Sequence, residues 1–317
     1  MSAYKAILGR RFGVRGNLAL LNGRPVGGFL PVGPIGNVFF VDSGVAGGEG
    51  TSPDTAVATI DAAINLCTAN NGDVVYVMPG HTEAVTSTSI ACDVAGVTFI
   101  GLGSGAMKPV LTFGATDSRI NVTAANCTFQ NFRFQAGIGD VVTAVLHATA
   151  ATNPRYLDIE FYATSTFNFI NGYTLGAANI SDGCRWERNY LRTADAGQLA
   201  LVITAASQAD LKFYDNYVVH AAAAAGLLTG GAADFLGIDV RGNFVQTGQT
   251  DGTVGVLVIT TGTASSGAIV DNDMKTADAT LNVAIPIASK VYAARNYIAG
   301  ADEVGTVIGV GTLFDNL

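Results

Sequence analysis

The chain has 317 residues, 49% of them hydrophobic, which suffices for one large core and excludes a disordered chain. Only 13% are charged and 39 are Gly, a composition too poor in helix formers for coiled coils or helical bundles. It predicts an all-β chain of short strands closed by Gly, Asn and Asp turns. The net charge of −8 is unevenly placed, because residues 1–36 carry Lys5, Arg10, Arg11, Arg15 and Arg24 and no acid, leaving 12 bases against 25 acids in 37–317.

No apolar run is long enough to span a bilayer as a helix, and the first residues lack the apolar stretch of a secretory signal, so synthesis in a cytoplasm is expected. The four cysteines, Cys67, Cys92, Cys127 and Cys184, form no C-x-x-C pair, and the three histidines lie far apart. They predict free, buried thiols, no metal site and no cofactor.

In chain order, residues 1–36 come first. Their Gly and Pro content and lack of a sustained period predict an extended arm that orders on a partner. Lys5, Arg10, Arg11, Arg15 and Arg24 would supply charge attraction, and Tyr4, Ile7, Leu8 and Phe12 burial. The arginines lack a regular interleaving of base-stacking aromatics, Phe12 alone standing between Arg11 and Arg15, which argues against nucleic acid as that partner.

A strand is expected at Val38–Ser43, then a capping helix over about 54–69 with Ser52 or Asp54 as N-cap and Ala56, Ile60, Ala63, Ile64 and Cys67 on its buried face. The apolar VVYVMPG of Val74–Gly80 opens a second region.

From there to about residue 308 an internal repeat runs. An Asn followed by an aromatic or other large residue recurs at Asn131, Asn189, Asn216, Asn243, Asn272 and Asn296, separated by 58, 27, 27, 29 and 24 residues. The missing copy falls midway through the first gap, in LDIEFY, with Phe161 near the Asn position. This period, filled with short alternating runs, is the mark of a solenoid. A right-handed, single-stranded parallel β-helix of roughly nine coils fits it, at about 4.8 Å per coil. Phe213, Trp186 and their equivalents would point inward, and the asparagines would stack into a ladder at a left-handed bend. Domain organisation is therefore an arm (1–36) and one β-helix (37–317), coils about 74–308.

The order of strand, Gly-rich turn, S-P-D-T-A, short helix and V-V-Y-V-M-P-G resembles the opening of the pectin-lyase-like right-handed β-helix family as found in bacteriophage virion proteins. The resemblance covers Val38–Thr82 by motif and the rest by coil period. Enzymes of that family use an aspartate cluster with calcium and a basic residue, or two or three acids close together. The best candidates here are Glu160, Glu187, Asp215, Asp239, Asp271 and Asp273 with Arg188, Arg241 and Arg295 in register. Arg188 and Asp215 are expected to form a surface ion pair on adjacent coils. His147 and His220 lie in apolar runs at the expected core boundary, and His81 beside Glu83 reads as an ordinary turn. No exposed aromatic row for sugar stacking is predicted, so no catalytic residue is assigned. The run Ala221–Leu228 reads equally as an apolar flank for self-association or as a buried strand, and Val304–Leu317 as one last stretch pairing with or capping the final coil.

With a basic arm ahead of a compact prism, the resemblance implies a capsid decoration (cement) protein, a non-enzymatic virion component on the capsid surface. Its partner would be the major capsid protein, its state a homotrimer, and no membrane is involved. The alternative is a tailspike- or fibre-like β-helix that binds or cleaves host surface polysaccharide.

Overall fold

The computed structural model describes residues 36–299, apart from 46, 88–89, 150, 165, 193–199, 205, 221–225, 248–257, 261 and 277–289, together with strands at 12–15, 18–21 and 24–25. Among the described residues, three parallel sheets of ten, nine and seven strands run along the body. Each strand pairs with its counterpart one coil away, as Thr128↔Arg155↔Arg185↔Lys212↔Asp239 does in the ten-stranded sheet. Nine coils follow the opening strand Val38–Val41; seven of them carry all three strands among the described residues.

Alternation along each strand sends one column of large side chains inward. In the ten-stranded sheet this column is Val75, Phe99, Phe129, Tyr156, Trp186, Phe213, Val240 and Ile269, all buried. Ring centroids of Phe99–Phe129 and Trp186–Phe213 lie 4.6 Å apart, nearly parallel. Such pairs contribute about 0.5–1.5 kcal/mol each beyond the area they bury.

Both ends of the ten-stranded sheet are marked by columns of left-handed residues. At the leading end stand Gly96, Asn126, Asn153, Gly183, Asp210 and Gly237; at the trailing end Asn131, Asp158, Arg188, Asp215, Gly242, Asp271 and Arg295, all with positive φ. The twist aims each bend's N–H at the next coil, so Asn153 donates to Asp182, Asp158 to Glu187 and Asp215 to Arg241 carbonyls at 2.7–3.0 Å. Gly242 fits because a Cβ there would meet the Asp215 carboxylate.

The asparagine ladder stands one residue beyond the trailing bend. Asn189, Asn216, Asn243 and Asn272 are buried, and each passes its backbone N–H and Nδ2 to the Oδ1 of the next Asn at 2.9–3.1 Å, ending at Asn296. Two sequence expectations are corrected here. The left-handed conformation belongs to the residue before each ladder Asn, not to the Asn itself. Asn131 occupies that preceding slot (φ 63) and bonds to the Gly101 and Gly103 carbonyls, so it is outside the ladder. Phe132 and Ile159 take the ladder positions of their coils. Phe161 is a core residue two positions further on, and the Ile159 N–H still donates to Asn189 Oδ1 at 3.0 Å.

The cap is shorter than the expected 54–69. A 3-10 turn at Pro53–Thr55 and helix α1 at Ile60–Ile64 are separated by residues 56–59, because Val57 pairs in parallel with Val41. Thr59, rather than Ser52 or Asp54, caps α1, accepting from the Ala62 N–H. Ile60, Ala63 and Ile64 close the core at this end.

In the arm, the expected extended chain is replaced by a three-stranded antiparallel sheet of Phe12–Arg15, Leu18–Leu21 and Arg24–Pro25. In the sequence these strands are separated by the pairs Gly16-Asn17 and Asn22-Gly23, and Asn-Gly is a hairpin signal. Tyr4, Lys5, Ile7, Leu8, Arg10 and Arg11 lie outside the described residues, as does Val304–Leu317.

Asn216→Ala is expected to cost about 2–4 kcal/mol, since it strands buried donors and acceptors on two neighbouring coils. Asn131→Gly, which keeps the bend, costs about 1 kcal/mol. Guanidinium unfolding midpoints of the two variants check the order.

Candidate functional site

Of the acids singled out from the sequence, Glu160, Glu187, Asp239 and Asp271 are held by cations, and Asp239 by a hydroxyl as well. Glu160 meets Arg133 at 3.1 Å and Lys108 at 3.9 Å. Glu187 is paired with Arg185 and Arg188, and Asp239 with Arg241 and the Tyr214 hydroxyl. Asp271 takes both arms of Arg295 at 2.7 Å, which holds its carboxyl below the usual range. Arg188 does not pair with Asp215 as expected; it reaches back one coil to Asp158, Nε to Oδ1 at 2.8 Å, and that bond raises its own pKa. Asp215 stays exposed at its bend, and Asp273 sits between Phe244 and Tyr297 on the nine-stranded sheet. Among the described residues, no group of three or more His, Cys, Asp or Glu could hold a metal ion.

A serine–histidine contact does occur, but inside the core. His147, wholly buried rather than at the boundary, lies 2.7 Å from Ser181 Oγ through Nδ1 and 2.6 Å from the Tyr156 hydroxyl through Nε2. Ser181 and Tyr156 are equally buried, so no substrate reaches the pair. A neutral imidazole satisfies both partners with one donor and one acceptor nitrogen, and burial pushes the His147 pKa down to about 3.

His81 is also more than a turn residue. Its buried ring accepts the Ser43 N–H on Nδ1 at 2.9 Å, so Nε2 carries the proton toward Glu83 Oε2 at 3.2 Å. The same oxygen accepts the Ile60 N–H at the start of α1. His81 therefore ties the opening strand, the cap and the first coil together. His220 ends its strand, and its side chain is outside the description.

All four thiols are free, as expected; Cys92, Cys127 and Cys184 are buried and Cys67 is half-buried. Burial pushes Cys67 up to about 12, and a hydrogen bond shared with Cys127, with burial behind it, keeps the proton on Cys92.

Two surface features escaped the sequence reading. The first is an aromatic column, where none was predicted: Tyr190, Tyr217 and Phe244 pair across three strands of the nine-stranded sheet with centroids 5.2 and 4.7 Å apart and planes within 10°, and Lys275 Nζ lies 5.0 Å above Phe244. Its signal in the sequence is the aromatic directly after Asn189, Asn216 and Asn243, which faces outward because the Asn before it is buried. The rings cover one another's faces, and Tyr190 and Tyr217 remain exposed.

The second is a pocket of about 300 Å³ on the outer side of the ten-stranded sheet, lined by Asn126, Thr128, Asn153, Arg155, Arg185 and Lys212 with Gly183. The three cations stand two residues after the leading bend on successive coils. Of the run after His220, Leu227 and Leu228 are core residues, which favours the buried-strand reading for them; residues 221–225 are outside the description. Among the described residues no helix is long and apolar enough to cross a membrane.

This architecture is that of a pectin-lyase-like parallel β-helix. Among solved structures, a rhamnogalacturonan lyase superposes with a TM-score of 0.50 at 11% identity, over 76% of this chain and 74% of the other. A pectin methylesterase from Aspergillus niger gives 0.48 at 14% identity, over 87% and 91%. No protein-family model and no curated protein matches the sequence. At these identities the likeness concerns the fold alone.

Because the folded pKa of His147 lies below the usual imidazole value of about 6.5, the unfolded state binds the extra proton first. Stability is fully present above about pH 6.5 and falls as the pH drops toward 3, by up to about 1.4 kcal/mol per pH unit for this one group. His147→Gln is expected to flatten the fall between pH 7 and 5; urea midpoints at the two values for both proteins measure it.

Proposed function

We propose that the chain is a non-enzymatic structural protein of a virion, a capsid decoration protein whose coils form a stiff prism and whose basic N-terminal segment binds the major capsid shell, assembled as a homotrimer. The observation that carries the mechanical part is the stapling between successive coils: N–H groups of bends at both ends of the ten-stranded sheet bond to the next coil, and from Asn189 to Asn296 the Asn ladder runs beside the trailing bends. Unfolding one coil strips partners from its neighbours, which makes the body durable. The engagement of Glu160, Glu187, Asp239 and Asp271 by arginines, and the burial of His147 and Ser181, favour this reading over hydrolysis or elimination. Attachment rests on the charge of the arm, +5 over residues 1–36 against an acidic body.

Replacing Lys5, Arg10, Arg11, Arg15 and Arg24 by Ser is expected to abolish co-sedimentation with preformed capsid shells while leaving the melting temperature of the body unchanged. Undiminished co-sedimentation would overturn the attachment role.

The exposed edge of Tyr190, Tyr217 and Phe244 favours a second reading, a spike-like protein that binds or cleaves surface polysaccharide. It requires oligosaccharide release from host capsule that Glu187→Gln or Asp239→Asn abolishes.

A further inference from the structure

Arg133 pairs with Glu160, Arg188 with Asp158 and Arg295 with Asp271, each across one coil. Arg155, Arg185 and Lys212 depart from this pattern. They occupy the same outward position on three successive strands of the ten-stranded sheet and border one cavity of about 300 Å³. Neighbouring strands are about 4.8 Å apart, and like charges directly opposite each other are destabilising. Glu187 bonds to Arg185, and Asp239, opposite Lys212, is taken by Arg241 and the Tyr214 hydroxyl. Among the described residues neither Arg155 nor Lys212 has a carboxylate within ion-pair reach, in a body with about twice as many acids as bases. A local rule broken without an internal compensation points to a ligand.

We infer that this cavity is a binding site for a small, soluble phosphate monoester, its phosphoryl group held among Arg155, Arg185 and Lys212. Cations from three rungs offer a partner to each of the three terminal oxygens of a tetrahedral phosphoryl group, whereas a carboxylate has two oxygens and one charge. Arg155 and Arg185 supply planar forks that match phosphate oxygens, and Lys212 a point charge on a flexible stem. The charge agrees as well. The lining holds these three cations and no acid, and Glu187 offsets one of them. The surplus of two meets the charge of about −1.5 to −2 that a phosphate monoester carries at neutral pH. The phosphodiester of a nucleic acid is singly charged, and its bases need bare rings on which to stack, whereas Tyr214 is covered by Arg185. Asn126 and Asn153, in their left-handed bends, and Thr128 on the rung below present neutral donors and acceptors to the esterified remainder, which is therefore polar. The volume, at the low end of ligand cavities, limits that remainder to a small molecule. A long polyanion is disfavoured, because the column of leading bends is neutral at Asn126, Asn153 and Gly183 and turns acidic at Asp210. The site goes beyond the structural role proposed above and does not depend on it.

The test is isothermal titration of the full chain with glycerol 2-phosphate at low salt and about pH 7.5, where a Kd of about 1 mM or tighter is expected. Inorganic phosphate, which lacks the esterified remainder, should bind more weakly, and singly charged methyl sulfate more weakly still. At about pH 5.5 the affinity for glycerol 2-phosphate should fall about fourfold, because the second proton of the ester returns near pH 6. The double variant Arg155→Gln/Lys212→Gln should bind at least about tenfold more weakly, and its melting temperature should hold or rise because two mutually repelling charges are gone. Lys275→Gln, on the aromatic column of another sheet, should bind as the unchanged protein does. The inference is overturned if the unchanged protein does not bind the ester, or if the double variant binds it within about twofold of the unchanged protein. Inorganic phosphate or methyl sulfate binding as tightly as the ester, or polyglutamate or single-stranded DNA binding more tightly, overturns it too. Loss on Lys275→Gln with retention on the double variant would place the ligand on the aromatic column and equally overturn the site proposed here.

Discussion

A chain that winds parallel strands must turn sharply at each corner without leaving the corner's peptide groups unpaired, and this constraint organises the whole body. It is met by a residue in the left-handed conformation at each end of the ten-stranded sheet, whose N–H points along the axis to the next coil. Because the bond crosses coils, the bend is both a turn and a staple. The Asn that follows the trailing bend repeats the same operation with its side chain, inside the core, where an unpaired amide would cost most. The inward aromatic column, the outward Tyr190–Tyr217–Phe244 column and the row of cations are all in register because the bends are.

The cost of this solution is visible at Arg188 and Arg295. Neither has the small or locally bonding side chain that favours positive φ, and each sits there by about 1 kcal/mol of backbone strain. Both make bidentate contacts with an aspartate one bend below, Asp158 and Asp271. The strained residue thus gains an inter-coil contact, on the outside, that a glycine would not provide. The His81–Glu83 contact does similar work at the cap, where the solenoid repeat is not yet established and distant segments have to be joined by side chains.

What repeats was legible in the sequence. The coil period, inward Phe213 and Trp186 and the five-membered ladder follow from chemistry that recurs from coil to coil. What depends on a single coil was not. Asn131 suits the left-handed slot and the ladder slot alike, so the motif alone did not place it, and a one-residue shift moves it from one to the other. The cap helix looked continuous because Ala56 and Val57 fit a helical face; their pairing with Val41 is a long-range fact. His147 seemed a boundary residue because its partners, Tyr156 and Ser181, are 9 and 34 residues away. The arm is the exception, because Asn22-Gly23 is a hairpin signal local to the sequence. The pocket shows a further limit: three cations spaced 30 and 27 residues apart declare themselves a row only once the coils have a register.

The sole tryptophan of the chain, Trp186, lies between Tyr156 and Phe213 in the middle of the buried column, with ring centroids 6.3 and 4.6 Å away. Its emission is therefore the signature of one central coil rather than of the molecule. If the solenoid frays from its ends, circular dichroism will decline while the indole still reports an intact, blue-shifted environment. Two probes that disagree would then measure how many coils unravel before the centre yields.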